Sequence, residues 1–132
     1  MGYDRSVRVD AGFADTVEAV RGALAEQGFG VLTEIDVTAT LKAKLDHDME
    51  PYLILGACNP PLARQALDVD RAIGLLLPCN VVVRADGDGT LVQALDPATM
   101  VELTGLPDLA PVAADAARRL DAALSSLGAG TG

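Results

Sequence analysis

The chain has no tryptophan, and aromatics make up 3% of its 132 residues. A base-stacking platform is not expected, and the core must be built from Leu, Val, Ile and Ala. There is a single histidine, His47, so a multi-histidine metal site is excluded. Two cysteines do not make a disulfide framework. Basic residues number 10 against 19 acidic ones, a formal charge of −9. That balance opposes phosphate backbones and anionic membrane surfaces, so neither nucleic acid nor membrane is an expected partner. No apolar run approaches the ~20 residues of a membrane span. Met1 to Asp10 lacks the apolar segment of a signal peptide, and a cytoplasmic protein is expected. A phosphate-binding glycine loop, a serine nucleophile elbow and a Cys-x-x-Cys motif are all missing. No cofactor is therefore expected.

Half of the residues are apolar, which suits a globular chain. The length fits one domain, read as residues 1–127, with a flexible tail at 128–132. Tyr3 to Val9 alternates as a strand, and Phe13 to Gln27 has helical spacing, with Gly28 as its stop. In Phe29 to Val37, strict alternation puts Phe29, Val31, Thr33, Ile35 and Val37 on one face. Glu34 and Asp36 then share the other with Leu32, as a wet sheet face or a carboxylate pair able to bind a cation. Thr38 to Asp46 reads as a short helix capped by Thr38 or Thr40, with Leu41 and Leu45 inward. His47 follows in a polar surface loop.

Pro51 to Ala57 is apolar on both faces and reads as a central strand. Asn59 is the natural N-cap of the next helix, whose first turn holds Pro60 and Pro61. A connector leads to a strand from Cys79, with Cys79, Val81 and Val83 on one face and Asn80, Val82 and Arg84 on the other. Asp86 to Gly89 is a hairpin turn into Thr90 to Leu95. Asp96-Pro97 opens another helix that ends near Gly105. Pro107 to Leu127 is the longest helix, its apolar stripe formed by Leu109, Val112, Ala113, Ala116, Leu120, Ala123, Leu124 and Leu127. The pattern predicts an α+β two-layer sandwich: a mixed five-stranded sheet with helices packed mainly on one face.

The unusual chemistry sits in two Cys-Asn pairs, Cys58-Asn59 and Cys79-Asn80. Cys58 falls where a strand hands over to a helix N-terminus, a place that favours negative charge and thiolates. If the two strands are neighbours, the sulfurs approach each other. A site lined by Cys58, Asn59, Cys79 and Asn80 then suits a small anion or a thiol-reactive ligand. The alternative is a thiol-dependent redox or sulfur-handling enzyme using Cys58 and Cys79. Buried structural cysteines would explain the same residues without any site. Two sulfurs do not complete a tetrahedral metal site, and Met49 and Met100 read as core filler.

The segments Leu55-Gly-Ala-Cys-Asn-Pro60, Leu76 to Val83, Phe29 to Val37 and Asp96 to Met100 resemble the domain-of-unknown-function 302 family, over roughly Val7 to Leu127. The resemblance implies a small α+β domain that forms homodimers, and no established activity. It also implies that Gly-Asn-Pro stands elsewhere in the family where this chain has Cys-Asn-Pro. The Asn59-Pro60 turn then belongs to the fold, and the cysteines mark a branch.

Overall fold

The computed structural model describes residues 2–130, with side chains through residue 128. Five strands and five helices follow one another as β1 (Asp4–Val9), α1 (Phe13–Glu26), β2 (Gly30–Asp36), α2 (Val37–Leu45), β3 (Tyr52–Cys58), α3 (Pro60–Val69), β4 (Cys79–Asp86), β5 (Gly89–Leu95), α4 (Ala98–Thr104) and α5 (Ala110–Gly130). Short 3-10 turns at Arg71–Leu76 and Pro107–Leu109 complete the chain. Helix α5 continues past Leu127 to Gly130, through the first part of the expected tail. The rest of that tail, residues 131–132, lies outside the described residues.

The strands form one sheet in the order β1-β5-β4-β3-β2, and every neighbouring pair is antiparallel. This corrects the expected mixed sheet. A strand-helix-strand segment predicts a parallel pair only if the two strands become neighbours. Here α1 carries the chain from one edge of the sheet to the other. β1 and β2 point the same way but never touch.

Helices α1 and α5 cover one face. There Leu53, Leu55 and Ala57 of β3, Val81 and Val83 of β4, and Val92 and Ala94 of β5 pack against Val20 and Leu24 of α1 and Leu120 and Leu124 of α5. The α5 stripe is buried at every position that its spacing predicts, from Leu109 to Leu127. A second, smaller cluster joins Leu62 and Ala66 of α3, Ile73, Met100 of α4, Leu109 of the turn before α5, and Val112 at the start of α5. Among the described residues, the far face of the sheet carries no helix layer. On it Leu32 and Ile35 are 69% and 51% exposed.

Strand β2 departs from simple alternation. A bulge between Val31 and Thr33 leaves Leu32 as the extra residue. Past it Glu34 lies opposite Leu55 and Asp36 opposite Leu53, so both carboxylates face the helix layer, while Thr33 and Ile35 face away. Glu34 is bound by Arg21 of α1, and Asp36 caps α2 by accepting from the Ala39 amide at 2.9 Å. Both carboxylates are thus used within the chain, and the cap is Asp36 in place of the expected threonines. Thr38 instead donates to the Glu50 carbonyl at 2.7 Å and accepts from the Tyr52 amide at 2.8 Å, tying the α2 entry to the β3 entry. Leu45, expected inward, is exposed, and α2 buries no residue.

Candidate functional site

The β3–β4 register makes the two Cys-Asn segments neighbours. Ala57 stands opposite Cys79, and Gly56 opposite Asn80. Both cysteines are free. They line one cavity of about 30 Å³ together with Asn59, Phe29, Leu62 and Met100. The cavity lies at the seam between the two hydrophobic clusters: Phe29 and Ala57 belong to one, Leu62 and Met100 to the other. Strict alternation would turn Cys58 away from the helices, but Cys58 closes its strand and reaches the cavity wall at that end. The Cys79 thiol is pushed up from its ordinary pKa, first by burial and second by the neighbouring charge of Cys58.

Asn59 is 7% exposed, and its side-chain amide is bonded at both ends. Its Oδ1 accepts from the Leu62 amide at 3.3 Å, the capping bond expected from sequence. Its Nδ2 donates to the Gln27 carbonyl at 3.3 Å. Arg119 of α5 donates to that same oxygen at 3.1 Å. Gly28 sits beside them at φ +84, and a Cβ there would come within 2.9 Å of Asn59 Nδ2.

The start of α3 therefore differs from a general anion site. Pro60 and Pro61 have no amide hydrogen to offer. The next two amides are taken: Leu62 donates to the Asn59 side chain, and Ala63 donates to the Asn59 carbonyl at 2.9 Å. The sequence features that mark this helix start, a capping Asn and two prolines, are the same features that remove its donors.

Asn80 does not join the other three. It points from the opposite face of β4 into an open groove shared with Tyr3, Tyr52 and Gln93. Alternation along β4 already implies this, since Cys79 and Asn80 are consecutive. Met100, expected as core filler, is buried in the second cluster and also lines the cavity. Nothing local to the Asp96-Pro97 segment signals that α4 will bring it beside the cysteines. Elsewhere, His47 borders a wide open groove with Lys42 and Asp48. Lys42 is held charged by bonds to Asp46 and Asp48, at 2.8 and 3.0 Å. Among the described residues, no three of His, Cys, Asp and Glu are grouped to hold a metal ion, and no helix is long and apolar enough to cross a membrane.

Fold and site together define a small α+β sandwich, covered on one side, with a sulfur-lined void between its two cores. The chain belongs to the DUF302 family, a domain of unknown function, whose model matches residues 5–127. It is similar to the crystal structure of an uncharacterized conserved DUF302 protein from Bacillus stearothermophilus, at 32% identity and a TM-score of 0.90. The match covers 96% of this chain and 99% of that one. No curated protein matches.

Proposed function

We propose that the protein is a homodimeric binding or accessory domain that holds a small, thiol-reactive or otherwise soft ligand in the cavity beside Cys58, Asn59 and Cys79. The observation that carries this reading is the void itself. Close-packed interiors leave few spaces larger than a water molecule, and this one has two free thiols on its wall. A small anion, the other ligand expected from sequence, finds no unused amide at the start of α3. The dimer expected from the family resemblance would use the helix-free sheet face, where Leu32 and Ile35 are exposed. Free thiols are at home in a reducing compartment, and the reading is of a cytoplasmic protein.

Xenon-pressurised crystals and a thermal-shift series with small thiol-reactive compounds test the cavity. Xenon should enter between Phe29 and Met100, and at least one compound should stabilise the wild type but not Cys58→Ala. A cavity that stays empty, with no stabiliser found, would sink the reading.

The rival is a thiol-dependent redox or sulfur-handling enzyme, favoured by the one cavity that Cys58 and Cys79 share. Burial opposes it at Cys79, because a thiol pushed up in pKa holds its proton and the thiolate is the nucleophile. Iodoacetamide rates against pH decide the matter. Alkylation of both cysteines only in the alkaline range of ordinary thiols removes the enzyme.

A further inference from the structure

Three sulfur-bearing residues line one small void. Cys58 closes β3, Cys79 opens β4, and Met100 enters from α4. Cys79 stands opposite Ala57, the residue before Cys58, and at the end of β3 the Cys58 side chain reaches the wall of the same cavity. Around them the lining is hydrocarbon, apart from the Asn59 amide. That amide is already used at both ends, by Leu62 and by Gln27. Beside the sulfur-bearing residues, Asn59 is the one polar side chain on the wall.

Size and donor type together select the guest. A single water needs about 10–15 Å³ of such space, so about 30 Å³ takes an ion or a very small molecule and no organic cofactor. Magnesium and calcium need oxygen ligands, and magnesium keeps several of its waters. Structural zinc asks for four ligands. Thiolate and thioether donors in a dry site suit copper(I).

We propose that the cavity is a copper(I) site, with Cys58 and Cys79 as thiolate ligands and Met100 as a thioether ligand. Copper(I) displaces one proton from each thiol to solvent, and two Cu–S bonds form. The thioether joins without losing a proton. There is no change of oxidation state. The proposal rests on the reading that this cavity holds a ligand, and it names the class.

The test is an anaerobic competition titration of the full chain against copper(I) held by a chromogenic bathocuproine chelator. The expected result is one copper(I) per chain, with an X-ray absorption spectrum showing sulfur neighbours only. Cys58→Ala and Cys79→Ala should each lose most of the binding. Met100→Leu keeps the core volume, so the metal-free protein should melt near the wild type. Its copper affinity should fall about tenfold, the loss of one weak ligand at about 1.4 kcal/mol. No competition with the chelator, a nitrogen or oxygen shell, or wild-type affinity in both Met100→Leu and Cys58→Ala would each overturn the assignment. If copper fails while xenon still enters, the copper site falls and the cavity reading stands. If both fail, both fall.

Discussion

Gln27 offers one carbonyl oxygen, and two side chains from distant parts of the chain donate to it, Asn59 and Arg119. This joins the end of α1, the start of α3 and the middle of α5 at one atom. Asn59 does two jobs there, and they can be separated. Asn59→Ala loses both the cap and the bond to Gln27, at an expected cost of about 2–3 kcal/mol. Asn59→Ser keeps a capping oxygen but is too short to reach Gln27, and should cost about 1 kcal/mol. Urea denaturation measures both, and equal costs would show that the second bond contributes nothing. The cap was legible in the sequence because it is local: an Asn three residues before the amide it accepts from. The Gln27 bond was not, since its partner is 32 residues away. Met100 was legible as core, but its place beside the cysteines was hidden for the same reason, since packing that no nearby residue announces brings it there.

At the scale of the element, helix α5 and strand β2 show opposite limits of sequence reading. The α5 stripe follows from 3.6-residue spacing alone, and nothing interrupts it. In β2, one bulged residue shifts every later side chain to the other face, and period-two reading carries no sign of it. The bulge also brings Thr33 opposite Gly56, on the face away from the helices. A Cβ on Gly56 would fall 2.1 Å from Thr33 Oγ1 and 3.0 Å from the Pro78 ring. Gly56→Ala should therefore cost about 1–3 kcal/mol through overpacking. Adding Thr33→Ala should recover part of that loss, because the nearest obstacle is the threonine hydroxyl. A double-mutant cycle by chemical denaturation checks the coupling, and strict additivity would count against this account. The same glycine explains why β3 could be read as central from its apolar run while its tolerance for side chains could not.

For the whole molecule, the α+β class was legible from the count and order of elements, but the sheet order was not. Pairing between the first and last strands leaves no mark in local pattern. The result is a sheet covered on one side only. Its bare face shows apolar side chains at Leu32 and Ile35. If two chains meet there, Ile35→Asp should shift the protein from dimer to monomer in sedimentation equilibrium while leaving its far-ultraviolet spectrum intact, because the site is exposed. A monomeric wild type, or a dimer indifferent to the charge, would move the interface elsewhere.

The pairing of Asp4 with Leu95 also sets a schedule for the growing or refolding chain. The β4–β5 hairpin closes over a two-residue turn. The first strand finds its place only after a loop spanning most of the molecule has closed, which is slow. In pulse-labelling hydrogen exchange, amides of Val82 and Arg84, which face β5 across the hairpin, should gain protection before those of Val7 and Val9. The opposite order would mean that the two ends of the polypeptide meet early, and that the sheet is assembled from its rim inward.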